Sequence, residues 1–462
     1  MTRWGRPGLA LAAAIAAACA GGVAAPRDQW LITVSTDASI PALGDRLLVE
    51  IVDANGNPCD GCSRTFGLTS TSFPLSFGIE PVGGSPALVY ATLFRGEQSG
   101  ADGRPLDAAH LEGLWLLPAA SGVTPVSLQL PMACFGVAGD PVAQTTCDPS
   151  SRTAVPATLL GVTTPLAPAS WAPGQSVDCT SSAPTGTVCV PGGVFLMGNH
   201  QTVQVYPDQL SFPEHLVQLD PYFLDVDEVN IQQVRALLMA GTLTPTFAPM
   251  IRTSDQTTEQ GACTYLGLAD PSNDALPASC VTYVAASAIC KARGGQLPTE
   301  AQWEYAARNT TAESTYPWGE DPDICAKAAV SLGRTTGTSA SNVFEFGACR
   351  SLPDGGQLPW GPVAVGTTPD DVTQLGIHDL GGNLTEWVLD GYQQYDESCW
   401  TGGAPQLLNP SCATASTTHK DDRPLRGGSW ADIAYYASAA TRDDTLEMNW
   451  LPGIGFRCAF SM

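Results

Sequence analysis

Hydrophobic and polar residues alternate with period two from Trp30 to Cys134. The clearest runs are Leu31-Ile32-Thr33-Val34, Leu47-Leu48-Val49-Glu50-Ile51-Val52, Ala87-Leu88-Val89-Tyr90-Ala91-Thr92-Leu93 and Val126-Ser127-Leu128-Gln129-Leu130. Turn chemistry separates them, as in Asn55-Gly56-Asn57-Pro58 and Gly83-Gly84-Ser85-Pro86, so the runs read as strands joined by tight connections. No helical stripe interrupts them. Residues 26–135 are therefore expected to form a small antiparallel β-sandwich, with a spacer or partner-docking role as the default. Cys59 and Cys62 lack a second pair at zinc spacing and a strand–helix context, which favours a loop disulfide over a metal or redox site.

From about 136 to 187 the periodicity stops. Pro141, Pro149, Pro156, Pro165, Pro168, Pro173 and Pro184 interrupt a Thr/Ser/Ala-rich stretch, the composition of a semi-extended linker. Residues 188–462 then mix short apolar strands with helical patterns. Ile231, Val234, Leu237 and Leu238 share one helical face. Val281–Arg293 predicts a second helix stopped by Gly294-Gly295. In Leu297-Pro298-Thr299-Glu300-Ala301-Gln302-Trp303, Thr299 and Gln302 have capping-box spacing and open a third.

The first residues carry Arg3 and Arg6, an apolar run from Leu9 to Ala18 and then small residues, the layout of an export signal that is too short to span a bilayer. Two readings stand. Ala16-Ala17-Ala18-Cys19 resembles a bacterial lipobox, which would place residues 1–19 in a leader and a lipid on Cys19. Ordinary cleavage after Ala20 would leave a protein of the periplasm or the extracellular space. A lipid would hold the chain at the outer face of a membrane without a spanning helix.

The chain has 15 cysteines. With Cys19 set aside the remainder is even, as suits an oxidising compartment. Neighbours suggest Cys59–Cys62, Cys134–Cys147, Cys179–Cys189, Cys263–Cys280, Cys325–Cys349 and Cys399–Cys412, with Cys290–Cys458 closing the longest loop, although sequence alone does not fix connectivity. The net charge of −24, from 45 acids against 21 Lys+Arg, argues against nucleic-acid binding. At 44% apolar and 14% charged residues, the chain has the means to fill a core.

Six motifs follow in order: Val190-Pro191-Gly192-Gly193-Val194-Phe195-Leu196-Met197-Gly198, Leu224-Asp225-Val226-Asp227-Glu228-Val229-Asn230, Leu297-Pro298-Thr299-Glu300, Tyr316-Pro317-Trp318-Gly319, Gly381-Gly382-Asn383-Leu384-Thr385-Glu386-Trp387, and Arg426-Gly427-Gly428-Ser429-Trp430 closing on Gly455-Phe456-Arg457-Cys458. Together they make residues 188–462 resemble the formylglycine-generating enzyme, or sulfatase-modifying factor, family. The resemblance implies an α+β, C-type-lectin-like fold, and it matches Cys290–Cys458 to a family bridge. It also implies a calcium ion held by the Asp379 and Glu386 side chains and the Gly382 and Leu384 carbonyls, hard oxygen donors of the kind calcium takes. A second family calcium position is occupied by Lys327, whose ammonium would repel the ion.

The family's reaction needs copper on two cysteines in the loop after Gly-Gly-Ser. Trp430 to Phe456 contains no cysteine, and Asp432 stands where the first thiol belongs. Cu(I) requires soft donors, so copper is not expected. Ser429 and Arg442 match retained active-site positions and can either line the old cleft or serve as a turn hydroxyl and a structural ion-pair partner. The histidines His110, His200, His215, His378 and His419 are scattered, unlike the three-histidine site of related iron enzymes, and no Gly-x-Ser-x-Gly elbow occurs. The expectation is a non-catalytic relative that binds a peptide, protein or glycan at the cell surface. The alternative is an oxygen-dependent metal oxidase of the same superfamily acting on a protein or peptide.

Overall fold

The computed structural model describes residues 27–53, 55–81, 88–199, 211–254, 259–332, 349, 361–401 and 406–462. The leader, Cys19 and His200 lie outside the described residues. Seven strands open the chain: β1 (Gln29–Thr36), β2 (Arg46–Val52), β3 (Pro58–Gly67), β4 (Leu75–Ile79), β5 (Leu88–Phe94), β6 (Leu111–Leu116) and β7 (Val123–Leu130). They form two sheets, in the orders β4-β1-β7 and β3-β2-β5-β6. Ile32 and Val34 of β1, Leu47, Val49 and Ile51 of β2, and Leu128 and Leu130 of β7 fill the core between them, as period-two strands in a sandwich should. Pairing is antiparallel throughout except between β1 and β7, which run parallel. The sandwich is thus mixed at that one ladder.

Residues 136–187 follow the surface of the sandwich. A hairpin, β8 (Thr145–Asp148) and β9 (Thr153–Pro156), is tied down by Cys134–Cys147. Beyond it Ser127 donates its N–H to the Gly161 carbonyl at 2.9 Å, and Ala169 donates to Ala38 at 2.9 Å. Leu160 is buried in the sandwich core. Proline-rich composition hid this packing, because its contacts are made by isolated residues without a period.

The C-terminal region has three small sheets. β10 (Thr187–Val190), β11 (Gly193–Met197), β12 (His215–Leu219) and β13 (Tyr222–Asp225) come first. β14 (Thr385–Trp387), β15 (Gln406–Leu408), β16 (Asp422–Arg426), β17 (Arg442–Leu446), β18 (Ile454–Gly455) and β19 (Ala459–Phe460) complete them. The orders are β10-β13-β19, β11-β12-β15 and β17-β16-β14-β18. Beside two four-residue helical turns, three longer helices pack on these sheets among the described residues: α1 (Ile231–Met239), α2 (Tyr283–Ala292) and α3 (Glu300–Ala307). Each opens on a polar cap. Asn230 and Gln233 form a reciprocal box on α1, Thr282 caps α2, and Thr299 and Gln302 form the expected box on α3.

Strand β11 explains how the two regions join. Val194 and Leu196 belong to the sandwich core, while Phe195 and Met197 face the second core with Trp303 and Tyr305. A strand covered on both faces must be apolar throughout, as this one is. Beside it the Arg95 guanidinium reaches Glu214 at 2.5 Å and also pairs with Glu313, which accepts the Leu196 N–H at 2.9 Å. All seven expected disulfides are formed: Cys59–Cys62, Cys134–Cys147, Cys179–Cys189, Cys263–Cys280, Cys290–Cys458, Cys325–Cys349 and Cys399–Cys412.

Candidate functional site

Three buried ion pairs hold the elements around the site. Glu300 and Glu304, four apart on α3, lie on one face of that helix. Glu300 takes Arg442 through Nε at 2.6 Å and Nη2 at 2.8 Å, and Glu304 pairs with Arg426. Glu386 of β14 receives Arg457 Nε at 2.9 Å on both oxygens and the Trp303 Nε1–H at 2.8 Å. None of the six charged side chains is more than 1% exposed. Each charge has an opposite partner, which is the condition for burying it at tolerable cost, although Arg426 Nε and Arg442 Nη1 make no hydrogen bond.

The loop after Gly428 is closed by Asp432. Its Oδ2 accepts the Ser429 N–H at 3.0 Å and the Thr385 hydroxyl at 3.0 Å, and its backbone N–H returns to the Ser429 carbonyl at 3.0 Å. Ser429 Oγ accepts from Ala431 N at 3.2 Å. This is a side-chain-capped turn. The turn is stitched to a neighbouring segment by Ser331 N to Asp432 O at 2.9 Å and Leu332 N to Trp430 O at 2.7 Å. Burial raises the Asp432 carboxyl above its usual range, against the hydrogen bonds from Ser429 and Thr385. Cys349 shares a core cluster with Trp430 and Ala431, but it is joined to Cys325 and so offers no thiolate here. Arg442 lies under the rings of Tyr395 and Tyr392, 4.0 and 4.8 Å from their centroids, with no exposed surface. Of the retained positions, Ser429 meets the substituted Asp432 in the turn, while Arg442 serves α3.

The expected calcium residues fall on one buried loop with more acid than sequence reasoning assigned to it. Asp379 Oδ2 accepts the Gly366 N–H at 2.7 Å, while its Oδ1 is buried with no hydrogen-bond partner. Glu228 receives the Leu384 N–H at 3.0 Å and the Asn383 amide at 2.6 Å. Asp371 receives the Gly381 N–H at 3.1 Å. Burial pushes Asp379 up to about 6. Burial first and the neighbouring carboxylates second raise Glu228 and Asp371 well above the normal range. Four enclosed carboxylates thus face one guanidinium, Arg457, and one oxygen is unused. That set fits a hard cation, although Glu386 is already shared by Arg457 and Trp303. Glu228 and Asp371 were missed; the acidic run Asp225-x-Asp227-Glu228 was the available signal. At the other expected position, the Lys327 ammonium sits between Asp321 and Asp370 at 3.5 and 3.9 Å, where a side-chain cation answers the two carboxylates.

Among the described residues the histidines stay apart. His110 contacts Glu112, His215 Nε2–H donates to the Tyr395 carbonyl, His378 meets Asp227, and His419 lies beside Asp422 and Asp444.

Residues 175–462 match the family described as the sulfatase-modifying factor enzyme 1-like domain, and the chain belongs to that family. It is 25% identical over 322 residues to the formylglycine-generating enzyme of Bos taurus, covering 62% of this chain and 78% of that one. It is 28% identical over 192 residues to the inactive C-alpha-formylglycine-generating enzyme 2 of Bos taurus, covering 39% of this chain and 48% of the relative. Less than half of that second protein is therefore matched. Among solved structures, PvdO from Pseudomonas aeruginosa aligns over 63% of this chain and all of its own, at 22% identity and a TM-score of 0.41. No helix among the described residues is long and apolar enough to cross a membrane.

Proposed function

We propose that this protein is a non-catalytic member of its family, exported and anchored through a lipid on Cys19, that binds a peptide, protein or glycan at the cell surface. One observation carries the reading. Where the family's reaction needs a thiolate after Gly428, this chain has the Asp432 carboxylate, hydrogen-bonded into its own turn by Ser429 and Thr385. A hard oxygen already engaged in this way does not replace a soft thiolate at Cu(I). The fourteen cysteines among the described residues are all bonded to one another, which is consistent with an oxidising compartment. A relative whose name calls it inactive lies among the similar proteins.

Calcium, in this reading, is held by Asp379 Oδ1 and the loop carbonyls of Gly382 and Leu384, with Glu386 at the edge of the set. The ion neutralises carboxylates that the fold otherwise encloses with a single guanidinium. Its role is to fix the loop, since Glu386 and Trp387 at its end enter the central strand β14.

The test is a peptide assay. The purified chain, supplied with copper, dioxygen and a thiol reductant, is incubated with a cysteine-containing sulfatase peptide, and the products are read by mass spectrometry. No conversion of cysteine to an aldehyde is expected. Turnover that follows the added protein would overturn the reading, and the intact mass of the mature N-terminus independently decides the lipid.

A further inference from the structure

Outside both sites, one imidazole and two carboxylates converge on the edge of the β16–β17 hairpin. His419 Nδ1 lies 3.5 Å from Asp422 Oδ2 and 3.8 Å from Asp444 Oδ2. One donor atom from each residue fits within a 4.8 Å spread. The sheet builds this arrangement. Asp422 pairs with Leu446 and Pro424 with Asp444, so Asp422 and Asp444 are diagonal neighbours on one face. The turn then brings His419 over them, because Asp422 N–H bonds to the His419 carbonyl at 3.1 Å and His419 N–H to Ser416 Oγ at 3.2 Å. Tyr392 N–H holds the Asp422 carbonyl at 3.0 Å from the other side.

We propose that His419, Asp422 and Asp444 form a binding site for a divalent zinc-type cation, with coordination positions left open to solvent. Tetrahedral zinc with ligands at about 2.0–2.1 Å sets its donors roughly 3.4 Å apart. The two separations from His419 need to close by only a few tenths of an ångström. The side chains are 28%, 18% and 22% exposed, open enough for an ion to enter. Among the described residues the two aspartates have no ion-pair partner other than His419. The nearby guanidinium groups are taken, Arg423 by Glu447 and Arg442 by Glu300.

A second observation points to the same place. The Tyr392 ring packs 4.9 Å from that of His419, and its hydroxyl is fully buried without a hydrogen-bond partner. It is a buried polar group with no hydrogen-bond partner, on a ring that packs against the His419 imidazole. An imidazole as the shared neighbour of both carboxylates selects zinc over calcium, which takes oxygen donors. The site shares no residue with the calcium loop or the turn after Gly428, and it stands whether or not the protein is catalytic.

Equilibrium dialysis of the chelator-stripped full chain against zinc chloride, with calcium in excess, tests it. The expected result is one zinc per chain by elemental analysis, and an unfolding midpoint raised by zinc. His419→Gln and the near-isosteric Asp444→Asn should each weaken zinc binding by at least about tenfold. Both should leave the far-ultraviolet dichroism and the calcium response unchanged. Absence of bound zinc, zinc displaced by calcium, or zinc affinity in both variants equal to that of the wild type would overturn the proposal.

Discussion

Arg442 grips Glu300 with two prongs, at 2.6 and 2.8 Å, and neither side chain meets solvent. The pair joins β17 to the first turn of α3. An arginine in the closing signature is thereby accounted for as scaffold. Arg442→Met leaves the buried Glu300 carboxylate with only the more distant Arg426, at 3.7 Å, and should cost about 3 kcal/mol, read from urea unfolding. The double variant Arg442→Met with Glu300→Gln should cost clearly less than the sum of the two single changes. Equal additivity would show that the pair does not act as a unit.

The junction between the two regions depends on Arg95, which is buried with Glu214 and Glu313. Arg95→Met leaves two acids enclosed against β11. Limited proteolysis should then cut between the sandwich and the C-terminal region faster, with total unfolding free energy lower by roughly 3 kcal/mol. An unchanged cleavage pattern would remove Arg95 from that role.

Asp390 gives a pH signature. It accepts the Glu300 N–H at 2.6 Å and the Cys412 N–H at 2.5 Å, and burial, then the Glu300 carboxylate, raise it to about 7 from 3.8. The folded chain therefore holds this proton more tightly than the unfolded chain. The resulting stability is fully present below 3.8 and is lost as pH rises through about 7. Asp390→Asn should flatten the fall in stability between about pH 4 and 7, which amounts to up to about 4 kcal/mol. A wild-type slope persisting in the variant would assign it to another group.

Calcium should raise the unfolding midpoint of the chelator-treated protein, and Asp379→Ala should abolish that rise, because Asp379 supplies the unpartnered buried oxygen. Scanning calorimetry with and without the ion checks this. An Asp379→Ala chain that still responds would move the site elsewhere.

Much of this architecture was readable because its signals are local. Thr299 and Gln302 announce a helix start by spacing and type, and the cap forms, with Gln302 N–H reaching Thr299 at 3.1 Å. Asn230 and Gln233 carry the same spacing and were passed over. Cysteines with near neighbours pair locally, whereas Cys290 and Cys458 are 168 residues apart and needed the family resemblance. What stayed hidden depends on register between distant strands. Nothing near Asp422 indicates that β17 will place Asp444 on the same face. Nothing within α3 announces that Glu300 and Glu304 will be buried against Arg442 and Arg426, which arrive from more than a hundred positions away.

Opening the long loop supplies a further check. Cys290→Ser with Cys458→Ser should lower stability by about 4–5 kcal/mol in the chain-entropy account, measured against the wild type under non-reducing conditions. A loss much smaller than that would mean that the packing of Phe456 and Leu297 around the bridge already restrains the terminus.

The central claim is the absence of a thiolate copper centre beside Gly428. Anaerobic Cu(I) titration of the non-reduced chain, followed by X-ray absorption at the copper edge, addresses it most directly. The account predicts no stoichiometric copper and no copper–sulfur scattering. One equivalent of Cu(I) bound through two sulfurs, with Cys325 and Cys349 opened to supply them next to Trp430, would contradict it.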